Sequence, residues 1–287
     1  MKAIYKKEVK SYLTSMIGYV FIFFILLLEG IYFTAYNLQN AYPLFGTTLS
    51  AVTFIFLILV PVLTMKTIAE ERKQKTDQLL LTAPVSVSEI VLGKFLAVAT
   101  VYAIPVLIIC LYPMIMGKYG TVSYAMAYTA VLGFALLGFT QIAVGVFWSS
   151  VTENPVIAAV VTFIVLFVCY MITGIGSLIP DSSMASLACY MLLVLLAAVW
   201  IYHMIRNLWI AAVIGIAGEA VLAITYVVKS TLFEGSIQKF LAVFDITSHF
   251  DNFTNGILDL QGVVYFLSVI IIFLVLTVQT ITKRRWN

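Results

Sequence analysis

Charge is scarce in this sequence: Asp, Glu, Lys and Arg make up only 10% of its 287 residues. A soluble domain carries about 25%. The chain is 63% hydrophobic, and no water-soluble fold of this length hides so much apolar surface, because the buried fraction rises slowly with size. The bilayer is the natural solvent. Cysteine is sparse as well. Cys110, Cys169 and Cys189 lie in separate apolar runs, with no Cys-x-x-Cys pair and no nearby His cluster. That excludes a disulfide framework and leaves no metal site of the spaced kind. No Gly-x-x-x-x-Gly-Lys-[Ser/Thr] phosphate loop occurs. Gly93-Lys94 lacks both the preceding glycine and the following hydroxyl. His-Glu-x-x-His and Gly-x-Ser-x-Gly are missing too, so no catalytic constellation is visible and no nucleotide binds through a phosphate loop. The chain is not expected to be an enzyme or to bind a cofactor or metal. The net charge of +3 is small, and no nucleic-acid partner is expected.

What is present is long apolar runs. A membrane span needs about 20 mostly apolar residues, and eight runs qualify, at roughly 16–36, 48–68, 92–116, 124–148, 155–179, 184–203, 207–228 and 263–282. The fold class expected is an all-α polytopic bundle. Lys2, Lys6, Lys7 and Lys10 would suit a signal-peptide start, but the run after them is too long and lacks a small-residue cleavage site. It reads as a retained first span. With the N-terminus in the cytoplasm, 13 of the 16 basic residues fall on the inner side, leaving Lys118, Lys229 and Lys239 outside. This is the positive-inside pattern, and an even span number returns the C-terminus to the same side. Residues 1–15, with Ile4, Val9 and Leu13 among lysines, fit an interfacial helix or a plain basic anchor. His203, Arg206 and Asn207 separate the sixth and seventh runs, which predicts a helical hairpin at 184–228. Pro61, Pro105, Gly133, Gly138 and Gly145 punctuate the spans, the glycines where helices can approach closely.

The inner connection between the second and third runs is the most informative stretch. Residues 66–82 suit a helix continuing out of the membrane. Pro84 stops it, and Ser86 with Glu89 has the spacing of a capping box. Val87, Ile90 and Val91 give the next helix an apolar face. Such a helix-break-helix can dock in a groove of another protein, or it can be an ordinary capped start to the third span. The residues read the same either way.

This connection resembles that of type-2 ABC transporter permeases. The likeness rests on Glu70, Glu71, Arg72, Thr76, Leu79, Leu80, Pro84, Val85, Ser86, Glu89, Gly93 and Lys94. It departs at Lys75, where Gly is usual, and at Gln78, where Glu is usual. A second stretch, Phe244 to Phe266, is similar to the last outer segment of the GldF-like (gliding-motility) permeases. The hairpin at 184–228 is additional to their usual six-span plan. The resemblance implies a single permease domain over 1–287, in a multi-pass protein of a bacterial plasma membrane. It also implies a second permease subunit, homo- or heterodimeric, and two copies of an ABC ATPase that bind ATP and Mg. Residues 69–91 would be the coupling loop, with Glu70, Glu71, Arg72, Thr76, Leu79, Leu80, Pro84, Val85, Ser86 and Glu89 as the contact.

Three polar groups fall inside runs: Glu29, Gln141 and Glu219. Intramembrane carboxylates mark functional sites or interhelical hydrogen bonds. The outer segment 230–262 predicts two short helices. One carries Ile237, Phe240, Leu241 and Phe244; the other is capped by Ser248 or Asp251, with Phe250, Phe253 and Ile257 on its apolar side. His249 reads as a hydrogen-bonded loop residue rather than a metal ligand. The function expected is a permease, in the export direction, energised by a separate ATPase. An ion-coupled secondary transporter using Glu219, or an anchor that turns ATPase strokes into mechanical work on the envelope, are the alternatives.

Overall fold

Backbone amides and carbonyls have no water to bond in hydrocarbon, so a chain this apolar must satisfy them internally. The computed structural model describes residues 1–77 and 85–286, and every regular element among them is helical. In order these are α1 (Lys2–Thr14), α2 (Met16–Tyr32), a π-helical turn (Phe33–Gln39), α3 (Phe45–Thr53), α4 (Phe56–Thr64) and α5 (Ala69–Lys73). After the third-span helix α6 (Val87–Ile109) come α7 (Tyr112–Met116), α8 (Tyr124–Val151), α9 (Pro155–Ser177), α10 (Ser183–Ile205) and α11 (Leu208–Val228). The short α12 (Ser236–Ala242) and α13 (Asp251–Thr254) precede α14 (Leu260–Trp286).

All eight predicted runs are helical, but not all are simple spans. Among the described residues, five helices are long and apolar enough to cross a membrane, or seven spans if each of two bent pairs counts as one. The sequence reading of eight differs for physical reasons. The second run is broken into α3 and α4, which meet at 60°. The break falls at Phe54–Ile55, ahead of Pro61, where Ile55 and Leu57 bond back three residues, to Val52 and Phe54. The seventh run continues past a 116° bend into α12.

The chain forms two compact units, 1–168 with 246–287, and 169–245. In the first, α8 is central and touches α3, α4, α6, α13 and α14. Small residues make this possible. A Cβ at Gly133 would lie 2.5 Å from Phe253 Cβ, and Gly138 faces the Tyr102 ring at similarly close range. Tyr102 is fully buried; it is ringed by Phe21, Phe56, Phe134 and Phe139 and donates its hydroxyl to the Phe134 carbonyl at 2.7 Å. Phe250 and Phe253 are buried in the first unit as predicted for the apolar side of their segment, whereas Ile257 is exposed. The N-cap positions of the two short helical turns there are Thr247 and Phe250, neither of which gives a side-chain cap. His249 stacks flat on Tyr265 at 3.7 Å. Among the described residues no cluster of His, Cys, Asp and Glu could hold a metal.

In the second unit, α10 and α11 form the hairpin. Arg206 ends α10 in the left-handed region (φ 54°), and its N–H bonds the Tyr202 carbonyl at 2.8 Å. Phe233 packs against Tyr190 and Tyr226. Thr173 donates to the Asp245 carboxylate, and Gln238 to the Ile179 carbonyl at 2.9 Å. Ile237 of α12 is buried, while Phe240 and Phe244 stay largely exposed.

Candidate functional site

The expected continuous helix leading out of the second span is interrupted. α4 ends at Thr64, a turn covers 65–68, and α5 begins at Ala69. The cause is on another helix. Ser149, near the end of α8, accepts the amides of Ile68 and Ala69 at 3.0 and 3.1 Å and donates to the Met65 carbonyl at 3.1 Å. The first amides of a helix have no partner within it, and here one hydroxyl of α8 supplies it. The loop is thereby fastened to α8 at its first turn.

Arg72 fastens it a second time. Its side chain is 6% exposed and lies against the α8 terminus, donating to the Ser150 carbonyl and, at 3.2 Å, to Glu153. Glu153 sits between α8 and α9 and also receives Arg284 of α14 at 2.7 Å. Hydrogen bonds from Arg284 and then Arg72 hold its carboxyl below the usual carboxylate range. The carboxylate is exposed, so the value of this triad is geometric more than energetic.

On the other side of the loop lies Lys94, in the second turn of α6 and 2% exposed. An ammonium has three protons to give. Lys94 Nζ bonds the Thr67 carbonyl at 2.7 Å, Glu71 at 2.9 Å and Glu8 at 3.1 Å. Lys7 joins Glu71 at 3.2 Å; burial pulls its ammonium down, but Glu71 and Glu8 outweigh that and hold it above the ordinary lysine value. Tyr12 is buried beside them and bonds the Leu63 carbonyl and the Thr67 hydroxyl at 3.2 and 3.0 Å. Burial pushes its phenol up. The face of α1 that packs is therefore Ile4, Glu8 and Tyr12, one turn apart, and not the Ile4, Val9 and Leu13 stripe. Val9 and Leu13 are only half-buried. A cleft of about 650 Å³ opens next to this cluster, with Ser11, Lys66 and Gln74 on its wall.

Charges buried this deeply are costly unless paired. Here five helices share the pairing. α1, α5, α6, α8 and α14 converge on one polar knot at the foot of the connection. The N-terminal helix and Arg284 meet the same knot, so α1 and the end of α14 lie on one face of the first unit.

Of the coupling residues predicted from sequence, Glu71 and Arg72 enter the knot. Glu70 makes a surface pair with Lys66 at 3.5 Å, and Thr76 bonds back to the Glu71 carbonyl at 2.9 Å. Ser86 accepts the Glu89 amide at 3.3 Å and starts α6. Val85 precedes that cap, and the Glu89 carboxylate lies 3.8 Å from the N-terminal amine. Leu79, Leu80 and Pro84 lie outside the described residues. Lys75, where similar permeases carry Gly, has φ 56°, a conformation that glycine enters without cost. Glu29, Gln141 and Glu219 are not drawn into this site. Glu29 and Gln141 are buried in α2 and α8 of the first unit, and Glu219 belongs to the second.

Glu8, Lys94, Ser149, Glu153 and Arg284 were not among the predicted site residues. Lys94 carried a signal, since a lysine a turn inside an apolar run needs a partner. Glu153 carried a weaker one, as the sole acid of a short connector.

Comparison with known families gives the class. Residues 2–284 match the family described as ABC-2 family transporter protein, and the chain belongs to that family. It is a multi-pass membrane permease, the transmembrane and non-catalytic kind of subunit, in a family that normally works with an ABC ATPase. No curated protein matches the sequence.

Proposed function

We propose that this chain is the permease of an ABC exporter and that residues 69–91 are the part its ATPase grips. The observation that carries the proposal is the anchoring of both limbs of the loop. Before residue 78, Ile68, Ala69, Glu71 and Arg72 are tied to α1, α6, α8 and, through Glu153, to α14. After residue 84, Lys94 of α6 bonds Glu8 of α1 and reaches back to Glu71 and the Thr67 carbonyl of the first limb. A push on the loop then reaches several helices at once through hydrogen bonds and ion pairs, which is what a transmission element requires.

On this reading the knot lies in the cytoplasm of a bacterial cell, where the lysines of α1 and the terminal Lys283 and Arg284 also fall. Two ATPase copies bind ATP and Mg, and two permeases pair in the membrane. The 244–266 stretch supports a place near the GldF-like permeases. The test is reconstitution in liposomes with a candidate partner ABC ATPase. The permease is expected to co-purify with its ATPase partner and to raise its ATP turnover. A chain with residues 76–86 replaced by a Gly-Ser linker should insert but neither bind nor stimulate. Full stimulation by that variant would refute the proposal.

A further inference from the structure

The hairpin of the second unit contains a feature that coupling does not use. Between α10 and α11 runs a groove of about 600 Å³, walled by Met191, Leu195, Val199, Ala212 and Ile216. Small-molecule pockets span roughly 300–1,000 Å³. At its floor is Glu219. Both carboxylate oxygens are buried, and neither has a hydrogen-bond partner among the described residues. The hairpin stays closely packed around it. A Cβ at Gly218 would lie 2.8 Å from Val194, and one at Gly215 would lie 3.1 Å from Ala198.

A carboxylate with no hydrogen-bond partner, on a lining that is apolar apart from Tyr202, is costly to keep. No basic side chain among the described residues bonds it. At 1.5 Å per residue, Lys229, just past the end of α11, lies roughly 15 Å along the helix axis from Glu219. An apolar groove with one unanswered acid therefore selects a particular kind of occupant. A hydrated metal ion is disfavoured, because one carboxylate cannot replace its shell of oxygen ligands. A neutral or anionic amphiphile leaves the acid unpaired. A bulky cation whose charge is wrapped in hydrocarbon fits both requirements: it loses little hydration on entering and gives Glu219 its counter-charge.

We propose that the α10–α11 groove is a binding site for lipophilic cations of the aryl- or alkyl-ammonium and phosphonium class, with Glu219 as the charge partner. The proposal does not depend on how the ATPase is coupled, and binding can be read without nucleotide.

The experiment uses the purified full-length chain in nanodiscs of zwitterionic lipid and radiolabelled tetraphenylphosphonium, with empty discs as background. Saturable binding of about one ion per chain is expected. Tetraphenylborate, of the same shape and opposite charge, should show none above background. Glu219→Gln should weaken tetraphenylphosphonium binding at least tenfold, while Glu29→Gln leaves it unchanged. If Glu219→Gln does not give monodisperse protein, Ala220→Trp decides, because it fills the groove and keeps the acid; it too should cost at least tenfold. Absence of saturable binding, equal binding of the two ions, or wild-type affinity in the deciding variant would each overturn the proposal.

Discussion

Lys94→Met is expected to destabilise the protein by about 3–5 kcal/mol, the range seen when one partner of a buried ion pair is removed. The reason is what stays behind. Glu8 and Glu71 now contact the same ammonium, at 3.1 and 2.9 Å. Without it, two acids with side chains only 10% and 16% exposed are left to share the exposed Lys7 as their counter-charge, and the Thr67 carbonyl loses its donor. Methionine fills the space of the lysine stem, so cavity formation contributes little. Denaturant titration of the purified chain in mixed micelles reads the change. The triple variant Glu8→Gln, Glu71→Gln, Lys94→Met should recover most of the loss, since under-compensated buried charge, and not missing volume, is the cause. A loss below about 1 kcal/mol for Lys94→Met would place this pairing among ordinary surface salt bridges.

Arg72→Met is expected to act on coupling more than on assembly. Among the described loop residues, Arg72 is the one whose side chain reaches both the end of α8 and, through Glu153, the end of α14. Its loss leaves the fastening by Ser149 intact, so the loop keeps its position but loses its hold on α14. Coupling free energies between sites are typically about 1–3 kcal/mol, or roughly 5- to 150-fold in effect. The stimulation of ATP turnover by the permease should fall within that span, while co-purification of the two subunits is retained. Arg72→Lys should not rescue it, because a lysine cannot bond the Ser150 carbonyl and the Glu153 carboxylate with one planar fork. Unchanged stimulation by Arg72→Met would remove Arg72 from the transmission path.

How much of this was legible in the sequence depends on the distance over which the cause acts. The apolar runs are local, and all eight appear as helices. The Ser86 cap is local and appears where its spacing to Glu89 put it. The Arg206–Asn207 interruption is local and turns the hairpin. The break in the second span was not legible at its true place, because Phe54 and Ile55 are ordinary apolar residues and the visible breaker, Pro61, lies beyond them. The interruption at 65–68 was hidden for a different reason. It is made by Ser149, which stands 81 residues from Ile68. The knot is the extreme case. Glu8 looks like one acid in a lysine-rich helix, and Lys94 like the basic flank of a span. Only folding brings them together across 86 residues. Resemblance to a family located the loop, and tertiary contacts located what holds it.

The central claim is that the connection between the second and third spans projects on the inner side and is covered by a nucleotide-hydrolysing partner. A single cysteine at Ser86, in a chain with Cys110, Cys169 and Cys189 changed to Ala, tests both halves with a membrane-impermeant maleimide. The account predicts no labelling of intact cells, ready labelling of inside-out vesicles stripped of the ATPase, and protection when that ATPase is added back. Labelling of Ser86→Cys from outside intact cells would contradict it.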